Sequence, residues 1–220
     1  MEFSVKSELL HKLAEKTVTK EQLRQMTEQN FQLIPQVLSG VSSSKANVRY
    51  GCARVLMDLS AKYPQKLYPH MDSFVGLLDS DYRILVWNAM AVIANLCAVD
   101  ADKKFDAIFD KYYSLLDNPY MVTVANVVGN SGKIALAKPY LIPRITDQLL
   151  RVEEISTTPH LTEECKRVIA EQVIECFNVF FDKMGAEAKA KALLFVKRQL
   201  GSSRRNLNAK AELFLKKWTK

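Results

Sequence analysis

Glycine and proline are scarce, at seven residues each in a chain of 220. So few turn formers leave room for only a few long elements, which argues against an all-β or α/β chain and favours helices. Long apolar runs are missing too. The most apolar stretch, ILVWNAMAVIANLCAV at 84–99, is shorter than the ~20 residues that span a bilayer. It also holds Asn88 and Asn95 and reads as a buried helix, so no membrane partner is expected. The opening residues MEFSVKSELLHKLAEK are charged and amphipathic with no apolar signal core, and the expected location is cytoplasmic.

Cysteine is limited to Cys52, Cys97, Cys165 and Cys176, with no C-x-x-C pair. Cys165 and Cys176 would sit about three turns apart on one helix, too far for a disulfide. All four read as buried reduced thiols, which excludes a disulfide frame and a zinc site. The three histidines, His11, His70 and His160, fall on separate segments without a metal-ligand neighbour at helical spacing. H-E-x-x-H, G-x-S-x-G and G-x-G-x-x-G are all absent. No catalytic residue, metal, cofactor or small-molecule substrate is therefore assigned, and the chain is read as a non-enzyme.

What is present in excess is positive charge, and it is uneven. Residues 183–220 hold eleven Lys/Arg against Glu187 and Glu212, a balance of +9 within a total of +7, which leaves the rest of the chain at −2. The basic character thus belongs to the C-terminal end.

The chain also repeats itself. QLIPQVL at 32–38 returns as YLIPRIT at 140–146, with Leu33 and Leu141 separated by 108 residues, three periods of 36. Intermediate copies are KLYPHMDSFVGLL at 66–78 and FDAIFDKYYSLL at 105–116. Between them lie second helices. In 46–64, Val48, Cys52, Val55, Leu56 and Leu59 share one helical face, and Leu85, Ala89, Val92, Ile93 and Leu96 repeat it in the next copy. Further second helices are expected at 119–139, 162–184 and 204–218, the last with Leu207, Ala211, Phe214, Leu215 and Trp218 inward. Asn118-Pro119 reads as an N-cap before a first-turn proline, Ser44, Ser80 and Ser203 stand near the other starts, and Thr19 with Gln22 forms a capping-box pattern.

Each pair is too small to bury its own apolar face, so stacking must do it. The expected fold is all-α: a right-handed α-solenoid of about five helix pairs behind an N-terminal helical cap. The cap covers 1–26 and the pairs about 27–64, 65–100, 101–138, 139–184 and 185–220, forming one domain over 1–220. Segment 31–64, with its Leu-Ile-Pro, Val48-Arg49, Ala53, Leu56 and Pro64, resembles a HEAT repeat of the armadillo-like helical class. That resemblance implies a scaffold that binds a protein or peptide along an extended surface, and it implies no reaction.

Within 122–139, VTVANVVGNSGKIALAKP, the GNSGK run superficially suggests a phosphate loop. Only Asn130-Ser131 separate Gly129 from Gly132, and Ile134 follows Lys133 where a hydroxyl residue is required, so the reading fails. The stretch is a second helix carrying two glycines, at a cost of roughly 1 kcal/mol each relative to alanine. In HEAT-like solenoids the side of the second helices opposite the core lines the concave face. Projection puts Tyr50, Arg54, Trp87, Asn126, Gly129 and Lys133 there, with Ala91 and Ala94 as low floor and Gly132 ambiguous. These are the expected partner contacts. The basic end offers a nucleic-acid alternative, with Lys191, Arg198, Arg205, Lys216, Lys217 and Lys220 as anion contacts. A HEAT-like alkylbase DNA glycosylase is a weaker one, because Trp87 has no carboxylate one turn away.

Overall fold

The structure, a computed structural model, describes the backbone of residues 2–219 and the side chains of 8–219. The chain forms two compact units, Met1–Phe105 and Asp106–Lys220. The first contains α1 (Glu2–Ala14), α2 (Lys20–Gln29), α3 (Ile34–Gly40), α4 (Ala46–Lys62), α5 (Pro64–Leu67), α6 (Met71–Gly76) and α7 (Arg83–Leu96). The second contains nearly all of α8 (Lys104–Ser114), then α9 (Met121–Ala137), α10 (Ile142–Leu150), α11 (Glu163–Phe180), α12 (Ala186–Arg198) and α13 (Arg205–Trp218). No β-strand occurs among the described residues; one isolated bridge joins Thr158 and Leu161.

In three of the pairs the first helix is short and interrupted by proline, whereas α8 and α12 are continuous. Pro35 and Pro143 occupy the first turns of α3 and α10, each just after a 3-10 turn, Phe31–Leu33 and Pro139–Leu141. A first-turn proline needs no donor, so the Leu-Ile-Pro phrase restarts a helix without a lost bond. The second helices are long and carry the core. In the first unit α4 packs against α2, α3 and α7, and in the second α11 packs against α9 and α13. The expected stripes are buried: Val48, Cys52, Val55, Leu56 and Leu59 on α4; Leu85, Ala89, Val92, Ile93 and Leu96 on α7; on α9 the apolar stripe is Val124, Val128, Ser131 and Ala135, also buried.

The N-caps fall one or two residues later than the small polar residues suggested. Ser43, Ser80, Asn118 and Ser202 each accept a hydrogen bond from the backbone N–H two residues on, at Lys45, Tyr82, Tyr120 and Arg204, over 3.1–3.3 Å. Those acceptor turns precede the caps of α4, α7, α9 and α13 and steer the chain into them. Pro119 consequently lies before α9 rather than in its first turn. The Thr19–Gln22 capping box is formed as expected, and Thr162 caps α11.

Successive first helices are tied by side chains roughly one repeat apart. In the first unit the Tyr68 hydroxyl donates to Asp100 at 2.7 Å and Lys104 meets Asp72 at 3.4 Å. In the second, Asp106 binds Lys138 at 3.0 Å and the Tyr140 hydroxyl at 2.8 Å, Asp110 binds Arg144 at 2.9 Å, and Asp117 binds Arg151 at 2.7 Å. Lys138 is only 3% exposed, so Asp106 is the counter-charge of a buried ammonium. The spacing lengthens to 44 residues for Asp147–Lys191, because the loop before α11 adds extra chain. That loop folds back on the α8–α9 turn, with Thr158 donating to the Pro119 carbonyl at 2.6 Å and His160 stacked on Tyr120 at 4.7 Å.

Candidate partner-binding site

In the first unit, Tyr50 and Arg54 project from α4 and Trp87 from α7. Arg54 is exposed and paired with Asp58 one turn on, at 3.0 Å. Trp87 is half-buried, as are Tyr50 and Ala91, whereas Ala94 is 2% exposed and belongs to the interior rather than to an open floor. The ring that Tyr50 meets edge-on is Tyr82, at 6.3 Å. Between them lies Arg49, its guanidinium carbon 3.8 Å from the Tyr82 centroid and 4.7 Å from that of Tyr50. Arg49 is 7% exposed, donates to the carbonyls of Ser43 (2.9 Å) and Ser44 (3.3 Å), and has no carboxylate partner among the described residues. Two tyrosine faces and two carbonyls thus hold a buried charge. The sequence reading passed over this residue because only the stripe opposite the core was projected.

In the second unit, Asn126, Gly129 and Lys133 occur on one side of α9, and the two glycines differ in kind. Gly129 is exposed, and a methyl group added to it would meet nothing within 4 Å. Gly132 is buried, and the same methyl would lie 3.4 Å from Val179 and 3.7 Å from the Cys176 sulfur. Gly132 thus faces α11 where a methyl would make ordinary van der Waals contact, and packing gives no reason for glycine at 129. The open register is the one set by α9's own apolar stripe, with Asn126, Gly129 and Lys133 outward.

Gly129 forms part of a groove of 280 Å³ between α9 and α11. Lys133 and Leu136 continue its α9 wall, and Gln172, Glu175 and Val179 line the other side. Leu136 is 44% exposed and Val179 49%, unusual for aliphatic side chains facing each other across a cleft. The Gln172 side-chain oxygen is buried without a hydrogen-bond partner. Cys176 closes the floor, and burial pushes its thiol up to about 12, so it is no nucleophile at neutral pH. Asn126 donates its amide to the Val122 carbonyl at 2.8 Å. The α11 residues escaped sequence reading because they belong to the next repeat, and only the recurrence of apolar residues off the core stripe could have signalled them.

Four cations of the basic end, Lys191, Arg198, Arg204 and Lys210, are paired with acids. Lys191 meets Asp147 at 2.8 Å and Glu187 at 2.9 Å, and its pKa is raised, first by the Asp147 bond. Arg198 grips Glu153, Arg204 bridges Glu164 and Glu171, and Lys210 contacts Glu171 and Glu175. Lys217 donates to Asn178 at 2.9 Å and lies over the Trp218 ring. Arg205 and Lys216 are exposed and meet no acid among the described residues, and Lys220 lies outside those residues. Part of the +9 read from composition is thus offset in space by acids from α10, α11 and the turn after α10.

Comparison with solved structures places this architecture. A designed armadillo repeat protein superposes with a TM-score of 0.60 at 19% identity, covering 94% of this chain and 90% of that one. The fold is that of an armadillo-like repeat solenoid. A second engineered protein matches the solenoid with a TM-score of 0.54 at 15% identity, over 95% of this chain and 88% of that one. No family model and no curated sequence matches. Among the described residues no helix is long and apolar enough to cross a membrane, and no cluster of His, Cys, Asp and Glu is arranged to hold a metal ion.

Proposed function

We propose that this armadillo-like chain is a non-catalytic scaffold that binds a protein or peptide partner along the outward side of its second helices. The observation that carries the reading is the α9–α11 groove. Two exposed aliphatic side chains flank a glycine that packing does not require, with Lys133, Gln172 and Glu175 supplying polar contacts. A concave apolar strip edged by a few polar groups is the usual form of a recognition site. Leu213 on α13, 65% exposed, borders a further depression with Asn178 and Lys217, so the second helices of this unit offer apolar anchors in series. A match over nearly the whole chain supports reading both units as armadillo-like repeats. The duplex-binding alternative has weaker support, because Lys191 and Arg198, two of the six residues assigned to it, already face acids and Lys217 bonds Asn178. Quantitative co-purification from cell extract with wild-type protein and with Leu136→Asp/Val179→Asp tests the proposal. Both positions are exposed, so the melting temperature is expected to hold while a specific partner is lost. Identical partner sets for the two proteins would refute it.

A further inference from the structure

The first unit contains a larger concavity that the groove reading does not use. It has a volume of 460 Å³ and lies where the turn after α1 meets the first turns of α4. Leu13, Val18, Ala46, Gly51 and the Tyr50 ring form its walls. The walls are fixed before any ligand arrives. Thr17 and Val18 donate their N–H groups to the Lys12 carbonyl at 3.0 and 3.2 Å, and Lys16 takes the left-handed conformation at φ 59° to make the turn. The Asn47 amide then joins α1 to α4, donating to the carbonyls of Leu13 and Ala14 at 3.2 and 3.1 Å.

The rim has one sign of charge. Lys16 and Lys20 stand at opposite ends of the turn, both exposed, and neither meets an acid among the described residues. No Asp or Glu lines the cavity. Behind the Tyr50 wall sits the buried Arg49, whose Nη2 lies 3.5 Å from the Tyr50 hydroxyl, so that hydroxyl accepts from the inside and can donate outward.

We infer that this cavity is a docking site for an acidic segment of a partner protein that inserts one large apolar side chain between Lys16 and Lys20. An apolar cavity of this size takes a leucine or phenylalanine side chain together with its flanking backbone. Two cations at separate ends of the turn call for acidic groups on both sides of that anchor. A peptide supplies them, and a single-headed amphiphile does not. Charge complementarity sets the register and speeds encounter, and the buried anchor supplies the affinity.

The probe is a fluorescein-labelled EDFLDE peptide followed by fluorescence polarisation, with KKFLKK and EDSSDE as charge-reversed and anchor-free controls. Wild-type protein is expected to bind EDFLDE alone of the three, more weakly as salt rises. Ala46→Trp, which blocks the cavity from an exposed rim position, is expected to weaken binding at least tenfold. Lys16→Glu/Lys20→Glu, confined to exposed side chains, is expected to do the same and serves if the tryptophan variant fails to fold. Leu136→Asp retains EDFLDE binding, so this inference and the groove reading fail separately. Affinity unchanged in both cavity variants, equal binding of KKFLKK, displacement by octanoate at the same concentration as unlabelled peptide, or no binding of EDFLDE at about 1 mM would overturn the inference.

Discussion

The two units solve the same problem in different ways: among the described residues each buries one cation. In the first, Arg49 rests between Tyr50 and Tyr82 and donates to backbone carbonyls, with no carboxylate. In the second, Lys138 is held by Asp106, which also receives the Tyr140 hydroxyl. A delocalised guanidinium can be stabilised by aromatic faces and neutral acceptors, whereas a compact ammonium needs a formal counter-charge. Individual glycines differ as sharply. Gly40 of the first unit is wedged, an added methyl falling 2.4 Å from the Cys52 sulfur, while Gly129 of the second stands open. Small residues are structural in one place and vacant in the other, and only the vacant one marks a candidate site.

The largest expected effect separates the two cations. Asp106→Ala strands the Lys138 ammonium and is expected to cost about 3–5 kcal/mol in urea unfolding. Arg49→Met removes a charge that has no ionic partner and is expected to cost well under half of that. Equal losses would erase the distinction. Next, Gly40→Ala is expected to destabilise by about 1–3 kcal/mol through overpacking against Cys52 and Leu10. The pH dependence is smaller, and its part-buried contribution lies in the second unit. Burial alone would raise the pKa of Glu171, but hydrogen bonds from Lys210 and Arg204 outweigh it and hold the carboxyl below its ordinary value. A depressed folded pKa means that this stabilisation is complete above about pH 4.3 and is lost as pH falls through the lower folded value. The melting temperature should therefore drop on acidification, and Glu171→Gln should flatten that drop. Smallest is Gly129→Ala, expected to stabilise by about 0.5–1 kcal/mol, since an open helical glycine has only its propensity to lose.

Much of the fold was legible because a 3.6-residue apolar period is a local signal. The α4, α7 and α9 stripes needed nothing but spacing, and the Leu-Ile-Pro echoes gave the repeat length. Helix starts were displaced because Ser and Asn in a turn two residues before a cap look, in sequence, like the cap itself. The Asp106–Lys138 and Asp117–Arg151 ties went unread since they join residues more than thirty positions apart, where a solvated acid and a paired one look alike. The partners of four basic-end cations went unread for the same reason: most of their acids lie in earlier helices. Of the groove, Gly129 and Lys133 could be projected from α9 alone. Leu136 sits beside them on that helix, and Val179 required knowing which helix lies alongside.

The central claim is that residue 129 is glycine to leave room for a partner. Gly129→Leu fills the groove from an exposed helical position and removes a poor helix former. Titration of the partner recovered with wild-type protein against this variant, with thermal melts of both, tests the claim most directly. The account predicts a melting temperature at or above wild type together with partner binding weakened at least tenfold. Retained binding by a variant of undiminished stability would contradict it.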